Sequence, residues 1–253
     1  MTHCVDQVRE LARKTPKEEI CGFIVATDFG EEIYPTKNVS SQPTRGFEIS
    51  AEEFVRASKG GRIVATYHSH PSNSVSPSDI DKRTCYRSGL PMLIVSSISG
   101  QSEWVKPESD DFKLEGRIFA YGVFDCYELV RDYYRLKLGI DLPVIASEEG
   151  WWNRGQNLFL ENVTRCNLVE VPGPTRREHD ILLLQYLLRV KVPHHLAVYV
   201  GDSEILHQPM HQFSGRTLYG NSWRLRTRHT LRHQKLMKPG DVFYSSGETL
   251  RWK

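Results

Sequence analysis

The stretch RIVATYHSHPSNSVSPSDID, residues 62–81, restricts the fold of this chain more than any other. Arg62–His68 alternates and is rich in β-branched residues, the pattern of a strand. Side chains two apart on a strand share a face, so His68 and His70 offer two imidazoles to one cation. Ser78-Asp79-Ile80-Asp81 then opens a helix, and its Ser-x-x-Asp spacing reads in two ways. It is a capping box with Asp in place of Glu, or a first turn that brings Asp81 back over the strand end as a third ligand. Two imidazoles and a carboxylate make a three-ligand zinc set, open at a fourth position where water's pKa falls towards about 7. Cys85, one turn beyond Asp81, is the residue that would instead close the site as structural zinc.

The surrounding pattern predicts a helix over Cys4–Lys14, a strand over Cys21–Thr27 and a turn around Asp28–Gly30, followed by a loop rich in Ser, Pro and Asn to Phe47. Ser50 with Glu53 signals a capped helix to about Ser58, stopped by Gly60-Gly61. A helix over Ser78–Arg87 and an apolar strand over Met92–Ser97 complete an α, β, α, β, α, β order, the mark of a layered α/β domain. The polar stretch between Gln101 and Gly116 is expected to hold the joint, giving domains 1–110 and 111–253. Beyond it the pattern predicts a helix over Asp125–Leu138 capped by Gly139, a helix around Glu178–Arg189, and strands from His195 onward with turns at Gly201-Asp202 and Pro239-Gly240. That order suits an α+β domain.

With 253 residues, 25% charged and 39% hydrophobic, the chain has the profile of a globular protein, and a net charge of +2 gives no electrostatic footprint for nucleic acid. The basic run Arg224–Lys238 is expected to be a solvated, positively charged surface. No stretch approaches the ~18 apolar residues of a membrane span, and MTHCVDQVRELARK reads as an amphipathic helix rather than a leader, so synthesis in the cytoplasm is expected. Five cysteines without a CxxC are expected to be free thiols.

His68-Ser-His70-Pro71 with Ser78 and Asp81 resembles the JAMM (MPN-type) zinc metallopeptidases over about residues 1–105. In that family a glutamate opens a Glu-x-Cys-Gly strand, and EEICGFIVA puts Glu19 in that place, with Glu18 the adjacent alternative. The resemblance implies one zinc ion held by His68, His70 and Asp81, Glu19 as general base and acid, and Ser78 as a donor to the oxyanion.

In VFDCYELVRDYY, Cys126 stands directly at a helix start, where unpaired backbone N–H groups and the helix dipole favour a thiolate. HHLAVYVGDSEILHQ adds a strand, a Gly-Asp turn and a second strand, with His195 and His207 near the open end of the hairpin. Asp-Cys at a helix start, LGIDLP, and His-x-Ala-Val-Tyr-Val-Gly-Asp with a second histidine twelve residues after the first resemble the NlpC-type cysteine peptidases over about residues 116–246. That papain-like family cleaves peptide bonds of bacterial cell walls. The resemblance implies Cys126 as nucleophile, His195 as base and His207 as the residue that fixes the His195 ring, with His194 the rival base and Tyr121 a match for a polar group near the oxyanion site.

A JAMM domain followed by an NlpC-type domain is similar to the tail-tip assembly proteins of lambda-like bacteriophages over almost the whole chain. This implies phage tail-tip proteins as partners, peptidoglycan stem peptides as substrate, and passage from host cytoplasm to virion tail tip to host periplasm. It leaves two readings open, an enzyme with two hydrolase domains and a non-catalytic docking factor with vestigial sites.

Overall fold

The computed structural model describes residues 2–108 and 112–243, which form two compact units divided between Asp111 and Phe112. The joint expected between 110 and 111 lies outside the described residues.

The N-terminal unit runs α1 (Thr2–Lys14), β1 (Cys21–Thr27), β2 (Gly30–Thr36), α2 (Ala51–Gly60), β3 (Arg62–His70), α3 (Asp79–Ser88), β4 (Met92–Ser96) and β5 (Ser102–Val105). Its strands form one sheet in the order β2-β1-β3-β4-β5, antiparallel except for the parallel β3–β4 pair. That pair requires a crossover, which is α3 with the loop before it, so the segment after His70 must fold back over the strand ends. Pleat alternation sorts the side chains. Ile24, Ala65, Tyr67, Leu93 and Val95 pack on Cys4, Val8 and Ala12 of α1. Phe23 and Val25 pack on Ala57 of α2, and Met92 and Ile94 on Cys85 of α3, completing an α/β/α sandwich. His68 and His70 lie on the α2–α3 side of β3.

Two edge strands, β2 and β5, were not legible in the sequence. Strand β2 (GEEIYPT) is polar and carries Pro35, tolerated because the strand lies at the sheet edge. Strand β5 has four residues inside the polar stretch expected to be linker. Gly22 is required by close approach, since a Cβ there would fall inside contact distance of the Tyr34 carbonyl oxygen and the Tyr67 hydroxyl.

The C-terminal unit runs α4 (Cys126–Leu138), α5 (Leu158–Glu161), β6 (Leu168–Glu170), β7 (Ile181–Leu184), β8 (His195–Tyr199), β9 (Glu204–His207), β10 (Gly215–Leu218), α6 (Asn221–Arg226) and β11 (Thr227–His233), with short 3-10 turns at Trp151–Arg154, Gly173–Thr175 and Gln234–Leu236. The strands form an antiparallel sheet in the order β10-β9-β8-β7-β11-β6. Leu129, Val130, Tyr133 and Tyr134 of α4 pack on Ile181, Leu183, Leu196, Val198 and Leu206. Leu182, Leu184, Ala197 and Ile205 face the other side, towards Tyr219.

The helix expected around Glu178–Arg189 is instead strand β7 followed by a turn. Ile181 to Leu184 is apolar at every position because both faces of this strand are covered, and such a run has no period to separate strand from helix. The basic run Arg224–Lys238 is likewise not a solvated surface throughout. Its centre is β11, where Thr230, Leu231, Arg232 and His233 are buried and Arg232 grips Asp180 with two 2.7 Å hydrogen bonds. Among the described residues no helix is long and apolar enough to cross a membrane.

Candidate functional sites

In the N-terminal unit, β3 extends to His70, so both histidines project from one strand. Their Nε2 atoms lie 3.1 Å apart, with Asp81 Oδ1 3.4 Å from that of His68 and Asp81 Oδ2 3.6 Å from that of His70. Asp81 is fixed by the helix start. The Ser78 hydroxyl and backbone N–H each donate to Asp81 Oδ2 at 2.7 Å, and Ser78 Oγ accepts from the Asp81 N–H at 3.1 Å. Both readings of Ser-x-x-Asp are therefore realised together, since one carboxylate caps α3 and faces the two imidazoles.

Burial pushes His68 down to about 4, so its ring is neutral. Burial also opposes ionisation of Asp81, but His70, His68 and the Ser78 donors outweigh it and hold the carboxyl at about 2. A neutral imidazole and an ionised carboxylate are the forms that ligate a metal. Among the described residues this is the group of ligating side chains, all within 4.8 Å of one another, that could hold an ion. Cys85 does not join it. Its thiol donates to the Leu90 and Val105 carbonyls inside the α3–β4 core.

Glu19 is buried just before β1, while Glu18 is exposed. Burial raises the Glu19 carboxyl to about 7, with His70 pulling it down and Asp81 pushing it up. Asn38 Nδ2 donates to the Glu19 carbonyl, and the Glu19 N–H donates to the Pro43 carbonyl, fixing the backbone. Phe47 stacks on the His68 ring at 4.6 Å. Nothing in the sequence near Phe47 signals that contact, which only the fold creates.

In the C-terminal unit, Asp125 caps α4 by accepting from the Tyr127 and Glu128 N–H groups, and Cys126 follows at the first helical position. Helix α4 packs on β8, and the thiol interacts with the Leu196 backbone, one residue before β8–β9 pairing begins at Ala197↔His207. His195 precedes Leu196, and its Nε2 lies 3.0 Å from Nδ1 of His207 at the end of β9. The thiol therefore meets the backbone of the residue next in sequence to His195. His194 is committed elsewhere, Nδ1 to the Val192 carbonyl and Nε2 accepting from the Leu187 N–H.

The helix-start N–H groups do lower the Cys126 pKa, yet burial, helped by the Asp125 charge, pushes the thiol up to about 12. The expected thiolate is therefore not the resting form. Burial also drives His195 well below its ordinary value and His207 down to about 4, so both rings are neutral. Tyr186 packs on His195 at 5.2 Å, and Trp223 meets His207 edge-on at 4.7 Å, supplying much of that apolar cover. Neither aromatic carried a signal in the sequence. Tyr121 bonds to Ser147 Oγ and to the Glu148 carbonyl, and burial raises its pKa to about 12.

Residues 1–109 match the prokaryotic homologs of the JAB domain, and residues 116–232 match the NlpC/P60 family. The chain is 38% identical over 186 residues to tail tip assembly protein K of Escherichia phage lambda, covering 74% of this chain and 89% of that protein. The chain belongs to the tail tip assembly protein K family. The family member of Escherichia phage N15 is 30% identical over 232 residues, covering 91% of this chain and 94% of its own. Among solved structures, a JAB1/MPN domain protein from Archaeoglobus fulgidus is similar at 19% identity, covering 44% of this chain and 90% of that one, with a TM-score of 0.31. The expected family and its JAB-then-NlpC order are thereby borne out.

Proposed function

We propose that this member of the family acts in tail-tip assembly and in penetration of the cell wall, carrying a cysteine endopeptidase in its C-terminal unit and a zinc-dependent peptidase in its N-terminal unit. The observation that supports the reading is that Cys126, at the start of α4, interacts with the backbone of Leu196, the residue after His195, whose Nε2 lies 3.0 Å from Nδ1 of His207. The cysteine unit takes peptidoglycan stem peptides. Cys126 Sγ attacks the peptide carbonyl carbon as its proton passes to Nδ1 of His195, the ring nitrogen not used in the bond to His207. The C–N bond then breaks, the amine leaves with that proton, and water hydrolyses the thioester. Because thiol and imidazole both rest neutral, the proton moves during attack rather than before it.

In the N-terminal unit His68, His70 and Asp81 would hold one zinc ion, and their donor types and separations fit it. Bound there, zinc supplies Lewis acidity towards a carbonyl and acidifies water. Glu19, poised near neutrality, takes up and returns a proton at its carboxylate. Ser78 donates to the oxyanion after its hydroxyl turns from Asp81 Oδ2. Partners are other tail-tip proteins, met in the host cytoplasm before the virion forms, and the wall is cut from the periplasmic side.

The test is hydrolysis of purified sacculi with metal analysis on the same full-length preparation. Wild type should release stem peptides and bind one zinc per chain. Cys126→Ala should lose hydrolysis and keep zinc, and His68→Ala with His70→Ala should do the reverse. A Cys126→Ala protein that still digests sacculi contradicts the first assignment, and wild type that takes up no zinc contradicts the second.

A further inference from the structure

The hydrogen-bond chain does not stop at His207. Its Nε2 lies 3.1 Å from Oγ1 of Thr217. Strand β10 pairs with β9 so that Gly215 opposes His207 and Thr217 opposes Ile205, which makes Thr217 the diagonal neighbour of His207 on one sheet face. The order His195, His207, Thr217 therefore crosses three adjacent strands.

Two neutral rings joined by one hydrogen bond admit two proton arrangements. In the first, His195 Nε2–H donates to His207 Nδ1 and His207 Nε2–H donates to Thr217, leaving a lone pair on His195 Nδ1. In the second every bond is reversed, and His195 Nδ1 carries a proton that disqualifies it as a base. The first arrangement puts both rings in the Nε2–H tautomer, the intrinsically favoured form of neutral histidine. A threonine hydroxyl can accept or donate, so it accommodates that preference instead of opposing it.

We propose that Thr217 is a positioning residue whose hydroxyl accepts from His207 Nε2–H and so holds His195 in the tautomer with a free Nδ1. The consequence for turnover rests on the peptidase reading above. The tautomer itself is measurable without any substrate.

The experiment uses full-length protein labelled with 15N in histidine, and long-range proton–nitrogen correlation at neutral pH. His195 and His207 should each show a protonated Nε2 and an unprotonated Nδ1. Thr217→Val keeps the branched shape and removes the acceptor, so His207 should shift towards a mixture of tautomers. In the peptidase assay that variant should lose about ten-fold in kcat at nearly constant KM, the size expected for one hydrogen bond lost from a buried relay. Thr217→Ser should restore both readouts. A protonated Nδ1 on either ring of the wild type, or tautomers unchanged in Thr217→Val, overturns the proposal. If the wild type cuts no peptide while the tautomers respond to Thr217 as stated, the peptidase reading fails and the positioning role stands.

Discussion

Nε2 of His195 and Nδ1 of His207 lie 3.0 Å apart between two rings that are both buried. Protonating either ring puts an unsolvated charge beside the other. Burial lowers His207 to about 4 in the fold against an ordinary 6.5, and His195, His194 and His233 shift the same way. A base whose folded pKa is depressed stabilises the fold fully above 6.5, and that contribution disappears as pH falls through the window from 6.5 to about 4. For His207 alone the loss is on the order of 3 kcal/mol. Urea unfolding of the C-terminal unit at pH 7 and pH 4.5 should show the drop, and His207→Gln should narrow it.

Alkylation of Cys126 should show no plateau near neutrality. With the thiol pushed up to about 12, its rate with iodoacetamide, followed by mass spectrometry at this residue, should still be climbing at about pH 10. A plateau below about pH 8 would mean that a thiolate pair already exists at rest.

Gly22→Ala should destabilise the N-terminal unit by about 1–3 kcal/mol, because the added methyl meets the Tyr34 backbone and the buried Tyr67 ring, and neither can withdraw. Denaturant midpoints of wild type and variant check this, with the C-terminal transition serving as the internal control.

Asp180→Ala should cost about 3–5 kcal/mol, since it leaves the Arg232 guanidinium buried with the Thr175 carbonyl and Asp241 at 3.4 Å as its remaining partners. Pairing it with Arg232→Leu should recover most of that loss in the same unfolding assay. If the double variant is no better than the single one, the pair does more than cancel charge.

The elements that carry chemistry were legible because each has a strong local cause. Strand β1 begins and ends as its apolar run does, and α4 is bounded by Asp125 and Gly139 as its cap residues predict. His68, His70 and Asp81 were readable because strand period and helix capping together fix where three nearby side chains go. What was not legible depends on remote partners. Ile181–Leu184 is a strand only because other elements cover both its faces, and β2 is one only because β1 offers it an edge. Thr217, Tyr186 and Trp223 reach the histidine pair through folding alone. Helix position alone favours a Cys126 thiolate, whereas burial, a tertiary quantity, pushes the thiol up and outweighs the helix start.

The two hydrogen bonds that Ser78 donates to Asp81 tie the helix start to the histidine pair. A change at Asp81 removes both the cap of α3 and one member of the candidate ligand set, so any loss of metal uptake and any loosening of the domain would arrive together. Replacing His70, which holds no helix terminus, separates the two questions.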